Sequence, residues 1–164
     1  FSPEHLIDNF SLAMSTLATG GFTPTSTILD DLLWQEHIIL MGAMILGALP
    51  FTFHYAFVRK KFLSPKLGKE VLTYFGILGG ATILFILVSG LEPLQSAFYS
   101  VSASTTAGLQ QESLAGLNGG AHTILIILMF IGGCGFSTAG GFKIFRLFHL
   151  QNCRSFFNKI KRQE

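Results

Sequence analysis

"SASTTAGL", residues 102–109, is a run of small and hydroxylated residues without a charge, set between two strongly apolar blocks. A second stretch, "STLATGGFTP" at 15–24, has the same character. Their surroundings decide how they are read. The chain has 164 residues, 49% of them hydrophobic and only 12% charged, against about 25% charged in ordinary soluble domains. Its mean hydropathy is +0.53. Residues 38–58, 71–91 and 121–142 carry no charged side chain. Each stretch has the roughly 20 residues needed to cross a hydrocarbon core. Three transmembrane helices are therefore predicted, in an all-α integral membrane protein, with Pro50 kinking the first.

The charges orient the chain. All eleven Lys and Arg residues fall in two clusters. Arg59, Lys60, Lys61, Lys66 and Lys69 lie between the first and second spans, and Lys143, Arg146, Arg154, Lys159, Lys161 and Arg162 follow the third. The other connections hold acids, among them Asp8, Asp30, Asp31, Glu36, Glu92 and Glu112. Basic loops stay on the cytoplasmic side. The prediction is a multi-pass protein of the plasma or inner membrane, with its N-terminal end outside and its C-terminal tail in the cytoplasm. The tail mixes Phe145, Phe148, Phe156 and Ile160 with basic residues, which suits a helix resting on the inner lipid interface. The chain opens on Phe1 without a basic start, so no signal peptide is read there, and a piece of a longer protein is expected.

The polar stretches belong to a repeat. Sliding "IDNFSLAMSTLATGGF" (7–22) by 87 residues onto "PLQSAFYSVSASTTAGL" (93–109) lays Ser15 on Ser102, Thr19 on Thr106, Gly21 on Gly108 and Phe22 on Leu109. Each copy reads as a helix of about three turns, too short to span, ending in a Thr- and Gly-containing turn. Pro93 fits the first position of the second short helix, and Glu92 favours its positive end. Both helices then enter from outside and aim their negative ends at mid-membrane. Irregular backbone at that depth is tolerated only against protein or along a watery path. Carbonyl oxygens in such a turn can replace the water shell of a monovalent cation, and glycine permits the backbone angles that aim them. The candidate ion-binding residues are Thr19, Gly20, Gly21 and Phe22 in the first turn, and Thr105, Thr106, Ala107, Gly108 and Leu109 in the second. No carboxylate stands in either turn, so potassium or sodium is expected rather than a divalent ion.

The third apolar stretch contains "GGCGFSTAGGFK" at 132–143. Two readings compete. Small residues let membrane helices pack closely, and Gly135 with Ala139, or Ser137 with Gly141, have the spacing for it. Yet five glycines in ten residues should break a helix, leaving an unwound stretch beneath the ion path that occludes it. On that reading Gly132, Gly133, Gly135, Phe136, Ser137, Thr138, Gly140 and Gly141 form a gate, with Phe136 the bulky residue in a narrow constriction. Gly79 and Gly80 in the second span read as helix packing. The five histidines and two cysteines have no metal spacing, no nucleophile–base arrangement suggests an enzyme, and no aromatic-interleaved basic patch suggests nucleic acid.

"STLATGGFTP", "SASTTAGL" and above all "MFIGGCGFSTAGGFKIFR" (129–146) resemble the TrkH/TrkG/KtrB family of potassium transporters, related to plant and fungal cation transporters. The resemblance covers essentially the whole chain. It implies four helix–pore-helix–helix repeats around one pore, arranged like a potassium channel. This chain would supply the pore helix, filter and inner helix of the second repeat (residues 1–61) and a cytoplasmic linker (62–70). A complete third repeat (71–148) and the basic tail (149–164) would follow. It also implies filter glycines at Gly21 and Gly108, an intramembrane gating loop at 132–141, and a homodimer bound to a cytosolic nucleotide-binding regulatory subunit, with no organic cofactor. The family's third filter reads Thr-Thr-Gly-Phe; here it is Thr106-Ala107-Gly108-Leu109. Phe136 also departs from a loop that is otherwise small throughout. Two other functions remain open: a non-conducting membrane scaffold subunit, and an inverted-repeat secondary transporter. The latter needs opposite topology in its two repeats.

Overall fold

The computed structural model describes residues 6–24, 29, 32–60, 64–111 and 114–147. The tail predicted over 149–164 lies outside the described residues. The order is α1 (Leu6–Leu17), α2 (Trp34–Ala48), α3 (Phe51–Val58), α4 (Pro65–Ser89), α5 (Pro93–Ser104), a 3-10 turn (Leu114–Gly116) and α6 (Gly119–Ile131). Among the described residues all regular structure is helical.

The segment Leu67–Ser89 of α4 is long and apolar enough to cross a membrane. Ser64 caps α4, its hydroxyl accepting from the Leu67 N–H, and Pro65 occupies the first turn, where its missing N–H is no loss. Gly90, at φ +69°, ends it in the left-handed conformation that a residue without a Cβ adopts freely. At 25 residues α4 is about 37 Å long. It begins inside the stretch expected as linker. Gly79 and Gly80 were expected to pack against a neighbour; a Cβ built on either meets nothing within 4 Å, so they face open space.

The other two predicted spans are broken. Residues 38–58 form α2 and α3, bent by 101° around Leu49 and Pro50, far beyond the kink expected. Proline cannot donate the helical hydrogen bond and its ring crowds the preceding turn. Leu49 is extended (ψ 152°) and Pro50 caps α3. Residues 121–142 are helical only to Ile131, where Gly132 (φ +70°) ends α6.

The two short predicted helices are present. α1 and α5 have 12 residues each, and Pro93 takes the first turn of α5. α5 is the centre of the structure, packed by α2, α4 and α6, with every residue from Phe98 to Ser104 buried. Phe98 and Val101 join Leu40, Met44, Ala48, Tyr74, Cys134 and Ile144 in one apolar core. Tyr99 and Ala103 join Phe85, Ala121, Leu125 and Leu128 in another. Large apolar side chains such as Ile83, Leu87, Ile126 and Phe130 stay exposed on the outside, as lipid-facing residues do.

Candidate functional site

The turns after α1 and α5 have one backbone conformation. Thr19 and Thr106 are left-handed (φ 52° and 57°), and so are Gly21 and Gly108 (φ 73° and 74°). The intervening Gly20 and Ala107 are not. A left-handed threonine is strained, so its appearance twice at the same place is no accident of one loop. The hydrogen bonds match as well. The Gly20 N–H donates to the Ser15 carbonyl at 2.8 Å, and the Ala107 N–H to the Ser102 carbonyl at 3.0 Å. The Thr19 and Thr106 hydroxyls each donate to the preceding carbonyl at 2.7 Å. The turns touch each other: a Cβ on Gly21 would collide with the Ala107 carbonyl oxygen.

One bond differs between them. Ser15 Oγ accepts from the Phe22 N–H at 2.8 Å, whereas Ser102 Oγ donates to the Leu109 carbonyl at 2.6 Å. The Leu109 oxygen is thus drawn toward α5. Phe22 is exposed while Leu109 is buried. The two positions aligned in sequence are not equivalent in their surroundings.

Residues 132–141 form a loop that leaves α6 and returns beside its own starting point. The Phe142 N–H donates to the Phe130 carbonyl and the Lys143 N–H to the Ile131 carbonyl, at 2.8 and 2.9 Å. The Phe130 and Phe142 rings stack across this base. Gly132 and Gly141 meet backbone to backbone there: a Cβ on Gly132 would run into the Gly140 carbonyl, and one on Gly141 would sit 2.6 Å from Gly132 Cα. The backbone is not helical over this stretch, so the small-residue pairs at helical spacing have no helix to act on. Phe136 is 70% exposed and tilts against Phe145.

The loop fills the break between α2 and α3. The Cys134 N–H donates to the Ala48 carbonyl and the Thr138 N–H to the Gly47 carbonyl, both at 3.1 Å, while the Phe51 N–H donates to the Phe136 carbonyl at 2.9 Å. Breaking a helix orphans the carbonyls of one half and the N–H groups of the other; in lipid each orphan is costly. The loop satisfies three of them. It also docks on both turns. Thr19 Oγ1 lies 3.1 Å from the Thr138 carbonyl, the Gly140 N–H donates to Thr106 Oγ1 at 2.7 Å, and Thr138 Oγ1 lies 2.8 Å from the Gly47 carbonyl.

Nothing singled out Glu70 in the sequence, yet it belongs here. Its carboxylate Oε1 accepts from the Gly135 N–H at 2.6 Å, and it is buried. The available signal was its position as the single acid within the basic stretch 59–70. Lys143 Nζ donates to the Ser137 carbonyl at 3.2 Å. Among the described residues no group of three or more His, Cys, Asp or Glu is placed to hold a metal.

Apolar helices broken at mid-length, with two short helices ending on matched hydroxylated turns, define an all-helical membrane protein. Residues 80–164, more than half of the chain, match the TrkH family of cation transport proteins, and the chain belongs to that family. The Trk system potassium uptake protein TrkI of Halomonas elongata is 32% identical over 82% of this chain and 29% of its own length. The TrkH protein of Vibrio parahaemolyticus is 28% identical over 85% of this chain and 32% of its own. The crystal structure of the potassium transporter TrkH from Vibrio parahaemolyticus superposes with a TM-score of 0.78 at 27% identity, covering 96% of this chain and 37% of that one. The chain therefore spans about a third of the length of the relatives it matches.

Proposed function

We propose that this chain contributes two of the quarter-units of a cation pore in the plasma or inner membrane, and that potassium is the ion carried, with sodium as the alternative cargo. Thr19, Gly20, Gly21 and Phe22, with Thr105, Thr106, Ala107 and Gly108, supply backbone carbonyls to the ion. The Leu109 carbonyl contributes less, because Ser102 holds it. α1 and α5 are the pore helices, and their negative C-terminal ends favour a cation at the turns. The loop at 132–141 is the gate beneath them. The function is transport rather than catalysis. The relatives named for potassium uptake support the choice of ion. The observation that carries the reading is the matched left-handed pair in each turn, Thr19 with Gly21 and Thr106 with Gly108. Alternating handedness rotates successive peptide planes so that their carbonyls can share one side, as an ion-coordinating column requires.

On this reading both pore helices enter from the outer face, and the basic segments around 59–69 and beyond 143 are cytoplasmic. The assembly is a homodimer in lipid, with a cytosolic nucleotide-binding regulatory subunit as partner and no nucleic acid. The test is ion flux from liposomes containing the full-length protein, with potassium and sodium compared. A scaffold subunit predicts no flux above empty liposomes. A pore predicts potassium flux whose preference over sodium falls in Gly108→Ser, since a side chain at φ +74° resists the angle that aims the carbonyls.

A further inference from the structure

The loop at 132–141 is held by three sets of contacts. Two come from pore elements: the broken ends of α2 and α3, and the hydroxyls of Thr19 and Thr106. The third comes from α4, on the outside of its repeat, through one side chain. Glu70 is only 7% exposed, and its Oε1 lies 2.6 Å from the Gly135 nitrogen. Carboxylates are seldom buried unless a hydrogen bond or charge compensates the lost water. In this helix apolar packing would be served better by a leucine. The partner is a backbone N–H that only glycine leaves this accessible. A Cβ on Gly135 would press on the Phe145 Cβ at 2.8 Å and approach Glu70 Oε1 at 3.2 Å. An ionised acceptor makes a shorter and stronger bond than a neutral one. The adjoining Cys134 is a free thiol, fully buried beneath the same segment.

We propose that Glu70 is the latch of the loop: a positioning residue on α4 whose carboxylate captures the Gly135 N–H and holds residues 134–138 in place. The loop swings only when that bond is released. α4 thereby becomes the lever, because Glu70 stands in its second turn, just beyond the basic connection that ends at the Ser64 cap. Displacement of that connection reaches Gly135 through this bond. The effect on flux rests on the gate reading above; the effect on loop position does not.

Cys134 reports loop position directly. The full-length protein in liposomes is exposed to N-ethylmaleimide, and labelling is resolved by mass spectrometry at Cys134, with Cys153 of the same molecules as internal reference. Glu70→Ala is expected to raise the Cys134-to-Cys153 labelling ratio on the order of tenfold, the loss of one charged hydrogen bond. Glu70→Gln, which keeps an acceptor oxygen at the same reach but loses the charge, is expected to fall between the parent and Glu70→Ala. Glu70→Asp keeps the charge but is one methylene too short, and should resemble Glu70→Ala; it decides the matter if the alanine variant does not insert. An unchanged ratio in the inserted Asp and Ala variants overturns the latch, whatever flux does. So does a Gln variant that labels as fast as Ala. Potassium efflux is measured in the same vesicles. A raised ratio with unchanged efflux keeps the latch and removes the gate reading.

Discussion

The Gly140 N–H donates to the Thr106 hydroxyl across 2.7 Å, so the glycine-rich loop and the turn after α5 are directly joined. Thr106 Oγ1 also donates to the Thr105 carbonyl. One hydroxyl thus braces the left-handed turn and receives the loop. Replacing it isosterically separates the two elements without disturbing the volume between them. Thr106→Val is expected to leave the Gly140 N–H orphaned and to loosen the loop by about 1–3 kcal/mol, seen as higher potassium flux per inserted molecule. Thr106→Ser should restore the parent rate. Equal flux from Val and the parent would mean that the contact carries no coupling.

The two turn glycines, Gly21 and Gly108, should differ in what they tolerate. Both sit at left-handed angles, where a Cβ costs roughly 1–2 kcal/mol. Around Gly108 a Cβ meets nothing within 4 Å, whereas on Gly21 it strikes the Ala107 carbonyl oxygen. Gly108→Ala is expected to insert normally and lose potassium preference over sodium. Gly21→Ala should also lose folded protein or flux, because the neighbouring turn must move. Detergent thermal stability and the flux ratio, measured together, check both; indistinguishable variants would contradict the contact.

On the proposed function, occlusion and selectivity occupy different elements, and deletion can separate them. Removing residues 135–139 takes out the part of the loop that meets Glu70, Gly47, Phe51 and Thr19. Flux per inserted molecule is expected to rise, with the potassium-to-sodium ratio unchanged. A fall in flux with normal insertion would show that the loop supports the pore rather than closing it.

The bend at Pro50 is maintained by its partners. Because the loop bonds to Gly47, Ala48 and Phe51, Pro50→Ala alone should neither straighten α2 into α3 nor cost more than about 1 kcal/mol. In the 135–139 deletion the partners of Gly47 and Phe51 are gone and only the Cys134 N–H bond to Ala48 remains, and Pro50→Ala should then change stability or flux markedly. Additive effects in the double variant would refute this coupling.

Orientation is open to tags. Reporters within residues 62–68 should read the cytoplasm, and one at 116–119 the outside. The reverse result would place α1 and α5 on the inner face and remove the argument from their dipoles.

Local residue character determined much of this protein. Uncharged stretches and segregated lysines and arginines defined a membrane chain, because hydrocarbon excludes charge at every position independently. The repeat of Ser15, Thr19 and Gly21 in Ser102, Thr106 and Gly108 was legible because the same turn needs the same residues. Five clustered glycines argued for an unwound stretch in the third predicted span, against a packing reading that kept it helical, and α6 ends at Ile131. Other features exist only through partners distant in sequence. Pro50 allows a kink, but the 101° break stands because loop residues satisfy the orphaned groups, Thr138 meeting a carbonyl 91 residues away. Gly79 and Gly80 looked like packing residues, yet no neighbour comes to them. Nothing in the sequence alone singled out Glu70; the fold lays Gly135 against it. Periodicity and propensity report what a segment prefers by itself. Which orphaned hydrogen-bond groups find each other is decided only when the segments are packed together.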